Sequence, residues 1–516
     1  MNATSIFNHV IGPVMRGPSS SHTAGAYHIG AMARSLLGEA PVAAEIAFDP
    51  GGSYVKCYRE QGADRAFAVG LMGWPITDER FFEAVAVAAE SGLKITFAAR
   101  KLEHADHPNA VDIQLAATDG RTLRATANSI GGGAVEFVRL AGWPVRFTGD
   151  TFEVAAEVEA GAAAAVLELL AADGAAIGSP ERCSQADLTL LTVRRREALP
   201  EDVRGKLTAL KGVRQVWAAR PVYFVQSGSP KFASALEMVL MAARRGLSLG
   251  QVALEYEAAL LGLSPQDILA EAARRFDVMR RAVERGLAAS PPAMQLLRPS
   301  AGRIYAAEAE GRLAVGGLHT RAAARALAAM HVSSGAGVVC AAPTGGSSGV
   351  LPGVLVTLAE EKRAAPGKIG LALLAAGAVG VVVANRATFA AEVAGCQVEI
   401  GAAGAMAAAA VVEAAGGAAA QAADAAAIAF QNTMGSVCDL VQGIVEIPCH
   451  TRNAAAASNA FLCADLVLGG YANPVGLDET IDAVYACGKM LPSELRCTAL
   501  GGLAATPSAK AMERRR

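Results

Sequence analysis

The chain has 516 residues, room for about three domains at roughly 100–200 residues each, so a single small module is excluded. Lys and Arg number 46 against 48 Asp and Glu, a formal net charge of -2. That balance offers no broad attraction to phosphate backbones and argues against a nucleic-acid partner. Apolar residues make up 53 % but aromatics only 5 %, so Ala, Val and Leu carry the hydrophobicity, a composition suited to closely approaching helices.

A mean hydropathy of +0.32 raises the question of a membrane. The longest uncharged apolar stretch, Ile369–Ala384, lies between Lys368 and Asn385. It falls short of the roughly 20 residues a span needs and reads as a buried core helix. The opening MNATSIFNHVIGPVMR lacks a basic start followed by a sustained apolar core, so no export signal is expected. Nine cysteines, an odd number with no CxxC pair, suit a reducing, cytoplasmic setting without a disulfide framework. Any metal site must therefore gather cysteines distant in sequence.

In chain order, residues 1–146 alternate short apolar runs (AAEIAFDP, GLKITFAA, AVDIQLAA) with helical patterns such as GAYHIGAMARSLL, predicting an α/β or α+β domain. Residues 147–225 read strand, helix, strand, strand, helix, strand, the βαββαβ order of a ferredoxin-like domain. Residues 226–516 are helical in pattern, from KFASALEMVLMAARRG onward, interrupted at Pro291-Pro292, and predict an all-α domain. The expected architecture is thus multidomain, with an α/β start, a small βαββαβ middle and a helical end.

Several polar clusters stand out. The loop Gly17-Pro18-Ser19-Ser20-Ser21-His22-Thr23-Ala24-Gly25 precedes a helical pattern, and its hydroxyls, imidazole and free N–H groups suit a carboxylate or phosphate. An N-cap alone needs only one of those hydroxyls. Asp106-His107-Pro108-Asn109 and Asn128-Ser129-Ile130-Gly131-Gly132-Gly133 are further polar turns. Ala342-Pro343-Thr344-Gly345-Gly346-Ser347-Ser348-Gly349 interrupts apolar sequence with hydroxyls and glycines. It lacks the lysine of a nucleotide phosphate loop, and can equally be an inert connection between buried helices.

Three cysteines sit in turn-rich settings: Gly395-Cys396-Gln397, Val437-Cys438-Asp439 and Pro448-Cys449-His450. Each alone reads as a small buried hydrophobe. Together they can supply three thiolates, and a cubic iron–sulfur cluster with three protein ligands leaves one iron open as a Lewis acid.

Taken together, GPSSSHTAG, HPN, SIGGG, APTGGSSGVLPG, GCQVEIGAAGAMAAAA, VCDLVQGIVEIPCHTRN and LGGLAATP resemble the iron–sulfur-dependent bacterial L-serine dehydratases, across nearly the whole chain and in the same order. The resemblance implies a β-type domain, a small middle domain and an α-type domain in one polypeptide. It implies a [4Fe-4S] cluster on Cys396, Cys438 and Cys449, whose open iron takes the carboxylate and β-hydroxyl of serine or a related β-hydroxy amino acid. Water is then eliminated, giving a 2-oxo acid and ammonium without pyridoxal phosphate. Ser19, Ser20, Ser21 and His22 are the implied proton-transfer groups, with Thr23, His107, Asn109, Thr344, Ser347, Ser348, Arg452 and Asn453 as the implied substrate-binding groups. The middle domain resembles the amino-acid-sensing ACT domains, with Gly161 at the usual glycine but Glu159 and Ala160 in place of the usual Asp and Pro. By analogy with that family, a homodimer is expected; the partner set is otherwise the amino-acid substrate, with no nucleic acid and no membrane.

Departures from the family pattern bear on the substrate. Gln61 and Ala63 replace an expected His and Thr, Ala387 and Phe389 replace two serines, and Cys497 replaces a glutamate. A glutamine amide does not titrate near neutral pH, so any proton-transfer role of that histidine is lost. These changes keep two alternatives open: another β-substituted amino acid or α,β-elimination on the same cluster, and a non-catalytic amino-acid sensor.

Overall fold

The computed structural model describes residues 3–103 and 106–515. It divides into two compact units, one spanning 21–227 and the other joining the residues up to Ser20 with those from Gly228 onward. The first carries most of the strands, the second most of the helices.

In the unit 21–227, a six-stranded sheet runs in the order Lys94–Ala99, Pro41–Phe48, Ala110–Ala117, Thr122–Gly131, Ala134–Leu140, Trp143–Phe147. Only the first pair is parallel, and the rest form an antiparallel meander. The helices Gly25–Leu37 and Ala63–Met72 pack against each other through two glycines. A Cβ on Gly70 would run into the Tyr27 carbonyl, and one on Gly30 would meet that of Phe67 at 3.0 Å. Only a bare Cα lets these backbones come so close.

Residues 152–219 of the same unit follow the chain order βαββαβ. Their four antiparallel strands lie side by side as Val213–Ala219, Phe152–Glu159, Leu188–Arg195, Ala176–Gln185. The helices Ala163–Ala171 and Glu201–Ala209 bring Val166, Leu170 and Leu207 to a core with Val154, Ala156, Leu191 and Val193.

The helical unit is built around Pro366–Arg386 and Ile400–Ala415. The first is longer than its uncharged stretch suggested. At 21 residues it is long and apolar enough to span a membrane, as is the run Cys396–Ala415, but both are largely buried among the other helices. The turn Ile6–Val10 belongs to this unit, which moves the start of the chain out of the sheet-bearing block where its sequence had placed it. The reason is packing: Ile6 fills the space over Gly377 and Val10 that over Gly380. The buried Glu257 carboxylate accepts hydrogen bonds from the Ser5 hydroxyl (2.5 Å) and the N–H groups of Ile6 and Phe7. The next segment, Val14–Arg16, pairs antiparallel with Val338–Cys340, a two-stranded ribbon in a unit expected to be wholly helical. That ribbon lays Gly17–Ser20 on the glycine-rich loop after Cys340. A Cβ on Gly345 would meet the Pro18 carbonyl at 2.7 Å and the Ser20 nitrogen at 3.0 Å.

Candidate metal centre and active site

The three cysteines reach their positions by different local devices. Gly395 has φ +77°, and a Cβ there would strike the Ser436 carbonyl, so glycine permits the turn that presents Cys396. Cys438 lies in extended chain whose N–H donates to the Leu495 carbonyl (2.8 Å). Cys449 opens the twenty-residue helix Cys449–Leu468, at the positive end of the helix dipole, which favours negative charge on sulfur. All nine cysteines are free, and these three are buried.

The Sγ atoms of Cys396 and Cys438 and a carboxylate oxygen of Glu399 lie within 4.8 Å of one another. Cys449 stands outside that tightest group, but its thiol is electrostatically coupled to Cys396 and Glu399. Contacts with the thiols of Cys396 and Cys497, then burial, push the Cys438 thiol well above its ordinary pKa. Burial first, then the charges of Cys396, Glu399 and Cys497, does so for Cys449. Crowded thiols suppress one another's ionisation until a cation arrives, and binding one would release their protons. This is a soft, sulfur-rich donor set of the type that takes iron–sulfur clusters or zinc, and it fits the group the resemblance implies.

Polar groups surround the sulfurs. Arg452 reaches within 3.6 Å of Cys396 Sγ, donates to the Val437 carbonyl (2.7 Å) and pairs with Asp439 (2.9 Å). Glu399 accepts a 2.5 Å hydrogen bond from the Thr344 hydroxyl, and burial pushes its carboxyl up to about 7. Gly346 allows this approach, since a Cβ there would lie 2.7 Å from Glu399 Oε1. The Ser347 hydroxyl bonds back to Thr344, and that of Ser348 to the Gly345 carbonyl (2.7 Å) and the Met330 sulfur (3.7 Å). Asn453 ties loop to helix: its Oδ1 accepts from the Gly349 N–H, and its Nδ2 donates to the carbonyls of Gly346 and Cys449. Behind them the rings of His331 and His450 lie 5.3 Å apart. Burial lowers them to about 4 and about 3, and His450 Nε2 meets the Ser334 hydroxyl at 2.9 Å.

The unit 21–227 gathers its own polar nest. The division between units falls inside the serine-rich loop, between Ser20 and Ser21, so Ser19 and Ser20 belong with the helices and Ser21, His22 and Thr23 with the sheet. His22 bonds through Nδ1 to the Ser21 hydroxyl and through Nε2 to the Ser53 hydroxyl, each at 3.0 Å. Its ring lies 4.7 Å from that of Tyr54, and burial lowers its pKa to about 4, keeping it neutral. The Ser21 carbonyl accepts from the Tyr54 and Ser129 hydroxyls, and Thr23 donates to the Gln61 carbonyl (2.7 Å). His107 Nδ1 accepts from the Asn109 N–H (3.1 Å), and Asn109 reaches back to the Ser129 carbonyl. Among the described residues, Asn109 Oδ1 and Asn128 Oδ1 are buried without a hydrogen-bond partner, two acceptors suited to a ligand.

Sequence reading passed over Glu399, Asp439, Ser53 and Tyr54. Glu399 sits three residues after Cys396, a spacing that returns to the same turn, but a single Glu in Ala-rich sequence gave no other signal.

Residues 244–504 match the family model described as serine dehydratase alpha chain. The chain belongs to the serine dehydratase alpha-chain family. It is 38 % identical over 284 residues to the probable L-serine dehydratase alpha chain of Bacillus subtilis, covering 55 % of this chain and 95 % of that one. It is 35 % identical over 282 residues to the L-serine dehydratase alpha chain of Peptoniphilus asaccharolyticus, covering 54 % and 97 %. It is also 35 % identical over 222 residues to the probable beta chain from Bacillus subtilis, covering 42 % of this chain and 98 % of that one. One polypeptide of the family thus carries both likenesses, which Bacillus subtilis has in two chains.

Proposed function

We propose that this enzyme eliminates water from L-serine or a closely related β-hydroxy amino acid, giving a 2-oxo acid and ammonium, with Cys396, Cys438 and Cys449 holding a [4Fe-4S] cluster. The observation that carries the proposal is the close approach of the buried Cys396 and Cys438 thiols, with the buried Cys449 thiol interacting electrostatically with Cys396, in a chain that matches both an alpha and a beta dehydratase chain nearly end to end. A cluster bound by three cysteines supplies an open iron, a Lewis acid that makes a hydroxyl a better leaving group.

The chain's own residues then divide the remaining tasks. Arg452 places a fixed cation beside the sulfurs, offsetting the negative charge of the thiolates and of a substrate carboxylate. Glu399 is a carboxyl poised near neutral pH by burial and oriented by Thr344, positioned to take or return a proton. His22, neutral and held between Ser21 and Ser53, offers an imidazole in a defined orientation. The unpartnered Asn109 oxygen suits an ammonium group. Residues 147–225 serve in this proposal as an ACT-like module, supported by the βαββαβ order and sheet, and self-association into a homodimer is part of the same reading.

An anaerobic assay of reconstituted protein against a panel of amino acids, following 2-oxo acid, tests this. L-Serine should be among the best substrates. A trivial rate on serine beside rapid turnover of another amino acid would select the alternative that Gln61, Ala387, Phe389 and Cys497 motivate. Amino-acid binding without ammonium release would favour a sensor.

A further inference from the structure

The segment Leu495–Cys497 is pinned alongside Cys438. The Cys438 N–H donates to the Leu495 carbonyl (2.8 Å), and the Cys497 N–H returns a bond to the Cys438 carbonyl (2.9 Å), a short parallel bridge across Arg496. This register sets Cys497 beside Cys438, and Cys497 adopts φ +65°, a left-handed backbone that a residue with a Cβ rarely accepts. The strain is held by local bonds, among them the Thr498 hydroxyl to the Glu494 carbonyl (3.0 Å). The resulting thiol touches that of Cys438 and is electrostatically coupled to those of Cys396 and Cys449. Cys497 thus adds a further thiol in contact with that of Cys438.

We propose that Cys497 is a fourth protein ligand of the metal centre, capping the iron that three cysteines would leave open and giving it up to substrate by ligand exchange. This rests on the cluster reading above. In the exchange a substrate oxygen takes the iron position and the displaced thiolate takes a proton from water, with no change of oxidation state. The capped cluster should resist oxidative loss of that iron, in which the 2+ four-iron cluster gives a 1+ three-iron cluster, one Fe²⁺ and one electron to the oxidant. A sulfur ligand here has a consequence a glutamate would not share, because thiolate binds iron of a cluster more tightly than carboxylate does.

The test uses the full chain reconstituted anaerobically with ⁵⁷Fe, as wild type, Cys497→Ala and Cys497→Glu. Mössbauer spectra should show four similar irons in the wild type and a three-to-one division in both variants. Ferricyanide should convert the variants to the three-iron form, read by electron paramagnetic resonance, at least ten times faster than the wild type. A three-to-one wild-type spectrum matching the variants, with equal conversion rates, would overturn the fourth ligand while leaving the cluster standing. Wild-type protein that takes up no cluster would overturn the cluster reading, and this inference with it. If the alanine variant does not fold, the glutamate variant decides.

Discussion

Arg452 reaches within 3.6 Å of Cys396 Sγ from the first turn of the helix that Cys449 begins, so one helix supplies both a thiol and the cation facing another. Its guanidinium also spans the Val437 carbonyl and Asp439, on either side of Cys438. One side chain thus braces the segments of all three cysteines.

Arg452→Ala should reduce the iron retained after reconstitution by at least half, since it removes the positive charge and the brace together. Arg452→Lys keeps the charge but not the forked geometry, and its iron content should fall between the two. Iron analysis of the three proteins prepared side by side checks this.

The Thr344 hydroxyl is the hydrogen-bond donor to Glu399 in this structure, and Gly346 is bare so that the carboxyl can approach. Thr344→Val keeps the shape and removes the bond. Turnover should drop about 100-fold, the scale of a group misplaced by about 1 Å, with iron content unchanged. A proportionate loss of iron would assign Thr344 to the metal centre instead.

Asn453 holds the glycine-rich loop to the cysteine-bearing helix by two buried hydrogen bonds and makes a third to the Cys449 carbonyl of its own helix. Asn453→Ala leaves an N–H and two carbonyls to find other partners, at a cost of about 2–3 kcal/mol. A lowered urea midpoint with an unchanged slope is the expected result.

Glu153 gives a pH dependence remote from the cysteines. Burial pushes its carboxyl up to about 8, although Thr151 donates to it and Arg194 lies nearby. A folded pKa above the unfolded value means that the folded chain keeps a proton the unfolded chain releases. The stability this contributes is full below pH about 4.5 and is lost as pH rises through about 8. Glu153→Gln stays neutral, so the stability of the wild type relative to this variant should decline across that window, by a few kcal/mol in all at about 1.4 kcal/mol per pKa unit. Denaturant midpoints at pH 5, 7 and 8.5 measure it.

Periodicity made the elements legible. Alternating runs such as AVDIQLAA became strands, and the βαββαβ order appears at residues 152–219. The grouping of residues 3–20 with the helices was not legible, because it depends on Ile6 and Val10 finding the bare faces of Gly377 and Gly380, a match between sites some 370 residues apart. At the site, the cysteines announced themselves through their turn-rich neighbours. Cys497 was visible as a departure from the family pattern, but nothing local tied it to Cys438, since the backbone bridge between them is a long-range pairing. Ser53 and Tyr54 were hidden for the same reason: His22 meets them across a turn that sequence spacing does not encode.

The most direct measurement is iron and acid-labile sulfide per chain in anaerobically reconstituted protein, wild type beside Cys438→Ser. The account predicts about four of each in a brown wild type, as that cluster type requires, and loss of most of both in the variant. Colourless protein holding zinc at these cysteines, or iron unaffected by Cys438→Ser, would contradict it.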